Sequence, residues 1–66
     1  MELVINGEPR EVADGLTAAA LLRELGLSNE RLAMEVNREI LPRSQFEDHR
    51  LSAGDRIEIV RAIGGG

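Results

Sequence analysis

Only one stretch of this 66-residue chain carries a helical period. Ala18, Leu21, Leu22 and Leu25 recur at i, i+3, i+4 and i+7, which makes a single apolar stripe on one short helix. The other apolar runs alternate, so the remainder reads as strands joined by turns. One helix covers one face of a sheet, and the second face is therefore expected to stay open, where a partner can dock.

The alternation sets the order of the elements. Residues 2–6 place Leu3 and Ile5 on one face and Val4 on the other, and Asn6-Gly7 is a strong two-residue hairpin signal. The return strand spans about residues 8–12, where Pro9, with no N–H to donate, points to a sheet edge. Asp14-Gly15 ends it with a turn. The helix covers residues 17–25: Thr17 is a good N-cap, Leu16 and Leu21 occupy the N′ and N4 positions of a hydrophobic staple, and Gly26 followed by Leu27 suits a left-handed stop. Residues 32–37 alternate again, with Leu32, Met34 and Val36 on one face and Ala33 and Glu35 on the other. Asn37-Arg38 turns the chain into a short strand over 39–41. Beyond Pro42, residues 44–48 read as one helical turn carrying Phe46, the single aromatic. Ala53-Gly54-Asp55 leads into a last strand over 56–61, with Ile57 and Ile59 on the face opposite to Glu58 and Val60. Val4 and Val60 are then the apolar candidates for the open face. The expected fold is α+β: a mixed sheet of four to five strands packed on one main helix, in the order of a ubiquitin-like β-grasp. A single domain over residues 1–62 is followed by a flexible glycine tail over 63–66.

A chain this short buries roughly 60% of its extended surface, which leaves room for one thin core and little for an enclosed active site. Hydrophobic residues make up 42% and charged residues 30%, a globular balance. With no Cys and one His, His49, neither a disulfide nor a metal is expected to staple the fold, and no bound cofactor is expected. The formal net charge of −4 disfavours nucleic acid and anionic membrane surfaces and favours a basic partner. No apolar run approaches a signal-peptide core or a membrane span, and the location read from this is cytoplasmic. All 8 cations are Arg, which removes lysine nucleophiles and Schiff-base chemistry. No catalytic constellation stands out, and an enzyme in its own right is disfavoured.

The tail is the chemical feature. Gly64-Gly65-Gly66 contributes nothing to a core and carries the largest ordering entropy of any residue type, so packing gives no reason for it. Without side chains it can lie extended in a slot too narrow for other residues and deliver its carboxylate into another protein's active site. From Ala62 to Gly66 the reach is roughly 15 Å. A terminal carboxylate, ionised at neutral pH, can attack the α-phosphate of ATP, and the resulting acyl-adenylate is activated toward sulfur. Nothing in the chain binds ATP or supplies a base, so the catalysis belongs to partners.

Several segments carry a family resemblance. Asn6-Gly7-Glu8, the run from Val36 through Asn37-Arg38-Glu39-Ile40-Leu41-Pro42 to Arg43, the run from Leu51 to Val60, and the closing Ala62-Ile63-Gly64-Gly65-Gly66 resemble the thiamine-pathway sulfur carrier family (ThiS) over nearly the whole chain. The resemblance implies activation by an E1-like adenylyltransferase of the ThiF type, which uses ATP. It further implies sulfur derived from a cysteine desulfurase and delivery to a thiazole synthase of the ThiG type. It assigns the adenylate and then the thiocarboxylate to Gly66, with Gly65 needed alongside. The third glycine, Gly64, departs from the defining diglycine and adds flexibility. Three further readings stay open: a carrier like the small subunit of molybdopterin synthase, a ubiquitin-like modifier of protein lysines, and a plain interaction module with a floppy end.

Ile63 gains nothing in a free tail and is read, with Gly64 and Gly65, as a partner contact. Arg61 and Ala62 at the base of the tail join Val4 and Val60 as docking candidates. Arg43 is read as surface charge, His49 beside Asp48 as solvated surface, and Phe46 and Met34 as core.

Overall fold

The computed structural model describes residues 1–27 and 31–61. Its elements run β1 (Glu2–Ile5), β2 (Glu8–Glu11), α1 (Ala18–Glu24), β3 (Leu32–Val36), β4 (Glu39–Leu41), a 3₁₀ turn (Arg43–Gln45) and β5 (Arg56–Arg61). The five strands form one sheet in the order β2-β1-β5-β3-β4. β1 and β5 are parallel, and the other neighbours are antiparallel. The mixed sheet with one helix matches the expected β-grasp, and β2, which carries Pro9, is an edge strand.

Two short turns set the registers. Asn6 (φ 50°) and Gly7 (φ 85°) are both left-handed and join Ile5 to its partner Glu8. Asn37 (φ 52°) and Arg38 (φ 71°) do the same between Val36 and Glu39. Positive φ at both central positions suits the right-handed twist of a two-residue hairpin. Because side chains alternate, these registers also decide which residues share a face.

The helix is capped by side chain and by tertiary contacts together. Thr17 Oγ1 accepts from Ala20 N–H at 3.1 Å. Ala18 and Ala19 donate to the carbonyls of His49 and Phe46 at 3.0 and 2.9 Å, so the 46–49 segment takes up N–H groups that a helix start leaves orphaned. At the other end Gly26 (φ 75°) donates to Arg23 O and Leu27 to Leu22 O, the paired bonds of a Schellman stop. The helical turn after Pro42 starts at Arg43, one residue earlier than the sequence indicated, and is 3₁₀. Gln45 and Phe46 donate to Pro42 and Arg43, three residues back, which is the 3₁₀ spacing. β1, β2 and β3 each end a residue short of the expected boundary. Asn6 and Asn37 belong to the turns, and Val12, past β2, is buried instead in the core.

Leu3, Leu21, Met34 and Ile57 are the largest fully buried side chains and come from β1, α1, β3 and β5. Each contributes about 1.5–3 kcal/mol of burial. Phe46 and Met34 lie in this core as read from the sequence. His49 is half-buried rather than fully solvated, because its backbone is bonded to Ala18 on the helix side.

Candidate functional site

The sheet face away from α1 is assembled from the alternate positions of all five strands. Register places Val4 beside Pro9 and Arg56, Glu35 between Glu58 and Ile40, and Ala33 beside Val60. Val60 is 60% exposed and Val4 half-buried, so both predicted residues stand where the alternation put them. Ile40 is 76% exposed and was not anticipated. A three-residue strand offers no alternation of its own, yet the signal was present: a two-residue turn at Asn37-Arg38 puts Ile40 opposite Glu35 and therefore on this face.

Val60, Ala33 and Ile40 form an apolar strip across β5, β3 and β4, with Ile40 diagonal to Ala33. Next to it, Glu35 and Glu58 are direct cross-strand partners. A like-charged pair in that position costs stability. Over β5, between β1 and β3, an open cleft is lined by Val4, Asn6, Gly7, Glu35, Arg38, Arg56 and Glu58. The face is thus an apolar strip edged by carboxylates, with guanidinium groups toward its start.

β5 is the central strand. Ile57 pairs with Ile5 on one side and Val36 on the other, and the strand ends at the exposed Arg61. Val60, on the apolar strip, immediately precedes that end. The predicted contacts Ala62, Ile63, Gly64, Gly65 and Gly66 lie outside the described residues.

The first strand is anchored elsewhere. The Met1 ammonium donates to Val12 O at 2.6 Å and lies 3.0 Å from Asp14 and 3.5 Å from Glu11. Its hydrogen bond to Asp14 raises its pKa above the ordinary value; burial opposes this, and the charges of Asp14 and Glu11 add to it. Among the described residues, no three His, Cys, Asp or Glu side chains gather as a metal site, and no helix is long and apolar enough to cross a membrane.

The described residues form a small β-grasp domain in which β5, the last described strand, lies at the centre of the sheet. The ThiS family profile matches residues 3–66, and the chain belongs to the ThiS family. It is 32% identical over 66 residues to the sulfur carrier protein ThiS of Escherichia coli, with 100% of both chains covered. It is 47% identical over 66 residues to a thiazole synthase of Paramagnetospirillum magneticum, where it spans 20% of that protein's length. The crystal structure of the thiamine biosynthesis protein ThiS from Geobacter metallireducens superposes with a TM-score of 0.88 at 33% identity, with both chains fully covered.

Proposed function

We propose that this chain is a sulfur carrier for thiamine biosynthesis. The Gly66 carboxylate attacks the α-phosphate of ATP in an adenylyltransferase of the ThiF type and releases pyrophosphate. A hydrosulfide equivalent from a cysteine desulfurase pathway then displaces AMP, leaving a terminal thiocarboxylate for a thiazole synthase. The chain itself is a co-substrate: it brings the carboxylate, and the partners bring the catalytic groups and ATP.

The observation that carries this reading is the position of β5. A central strand held by β1 and β3 gives the tail a fixed origin, and Val60 with Ala33 and Ile40 offers an apolar docking strip beside that origin. Gly64 and Gly65 are assigned to the narrow entry into the partner's active site and Ile63 to an apolar contact there, with Arg61 and Ala62 at its mouth. The full-length match to a sulfur carrier supports the chemistry. The presence of a similar segment within proteins named thiazole synthase supports the acceptor.

ATP–pyrophosphate exchange tests it. With the thiamine-pathway adenylating enzyme, the full chain is expected to support exchange, and a chain lacking Gly65 and Gly66 is expected to support none while melting at the same temperature. Exchange that survives truncation would remove the tail from the mechanism. Exchange only with the molybdopterin-pathway enzyme would move the carrier to that acceptor.

A further inference from the structure

We infer that Asn6 is a positioning residue for the carrier's C-terminus, acting through Ile59; this rests on the carrier reading above. β1 leaves the sheet at Asn6, whereas its parallel neighbour β5 continues to Arg61. The last register pair between them is Ile5 with Ile57. Asn6 then spans the gap in two steps. Its backbone N–H donates to Ile57 O at 2.8 Å. Its side chain reaches two residues farther, where Oδ1 accepts from Ile59 N–H at 2.8 Å and Nδ2 donates to Ile59 O at 3.2 Å.

A primary amide presents one donor and one acceptor side by side, as a strand's peptide groups do, so the Asn6 side chain stands in for the next residue that β1 would have supplied. The turn alone does not demand asparagine. Its left-handed φ of 50° is open to Gly and Asp as well. Gly would leave the N–H and C=O of the buried Ile59 without these partners, and Asp would keep only the acceptor. The requirement for both groups comes from Ile59, two residues before Arg61.

The other hairpin supplies an internal control. Asn37 has the same left-handed conformation and also grips β5, but at its start: Oδ1 accepts from Arg56 N–H at 2.9 Å and Nδ2 donates to Asp55 at 3.0 Å. Two turn asparagines therefore clamp the central strand, one at each end, and only Asn6 sits at the end that launches the tail. The docking strip stays in place without Asn6 because Val60 remains paired with Ala33. Loss of the Asn6 amide is therefore expected to act on delivery of the carboxylate, hence on kcat, rather than on docking, hence KM.

The test compares Asn6→Gly, Asn6→Asp and Asn37→Gly in the full chain, by amide hydrogen exchange and by ATP–pyrophosphate exchange with the thiamine-pathway adenylating enzyme. Asn6→Gly is expected to lose protection at Ile59 N–H and to lower kcat roughly tenfold, below the roughly hundredfold that a 1 Å misplacement can cost, with KM for the carrier held within about twofold. Asn6→Asp, which keeps the acceptor, should fall between it and the wild type. Asn37→Gly should lose protection at Arg56 N–H and keep kcat. Equal losses of kcat in Asn6→Gly and Asn37→Gly, or an unchanged kcat in Asn6→Gly despite an unprotected Ile59, would overturn the inference. A wild-type chain that supports no exchange would overturn the carrier reading and the positioning role with it. Loss of Ile59 protection would then define Asn6 as a purely structural clamp.

Discussion

At the scale of single residues, the conformations that look costly are the informative ones. Arg38 adopts a left-handed φ of 71°, where a side chain costs roughly 1–2 kcal/mol. Arg38→Gly is expected to stabilise the fold by about 0.5–1 kcal/mol after the added entropy of the unfolded chain is subtracted, read as a higher urea midpoint at unchanged m-value. A fall in midpoint would mean that the guanidinium makes a compensating contact in the cleft it shares with Arg56 and Glu58. The Met1 ammonium gives a pH signature. Its folded pKa is raised, first by the hydrogen bond to Asp14, so its contribution is complete below the unfolded value near pH 8 and is lost as pH rises through the folded value. Melting temperatures recorded from neutral to alkaline pH are expected to decline across that window, and Asp14→Asn is expected to flatten the decline.

At the scale of elements, α1 has seven residues and is too short to be stable alone. Its start depends on Thr17 and on carbonyls from the 46–49 segment, which also seats Phe46 under the sheet. Thr17→Ala is expected to destabilise by about 1 kcal/mol, read from chemical denaturation. For a domain of this size that corresponds to a drop of about 4–8 °C in Tm. The exposed ion pair between Arg23 and Glu47, at 2.7 Å, links the same two segments and adds little, because solvent screens it. The cap, the Schellman stop and the apolar stripe were all legible in the sequence, since each depends on spacing within a few residues. The donors from Ala18 and Ala19 to His49 and Phe46 were not, because those partners lie some thirty residues away along the chain.

At the scale of the whole molecule, the division of labour is between a covered face that makes the core and an open face beside the strand that ends at Arg61. Val60→Asp and Ile40→Asp are each expected to raise KM for the carrier in pyrophosphate exchange by roughly tenfold, as loss of an apolar anchor does, while Tm stays within about 2 °C. A matching collapse of Tm would assign either residue to the core instead. The sequence by itself determined the elements, their faces and the turns, because period-2 and period-3.6 patterns, Asn-Gly and a capping Thr are local signals whose physics closes within a few residues. It also exposed the glycine-ended tail, since three glycines have no use in packing. Only the tertiary structure decided that β5 is the middle strand, that Ile40 joins Val60 through Ala33, and that Asn6 completes the ladder for Ile59. Those facts depend on which strands become neighbours, and that choice is made by burying Leu3, Leu21, Met34 and Ile57 together, an energy that no single segment carries.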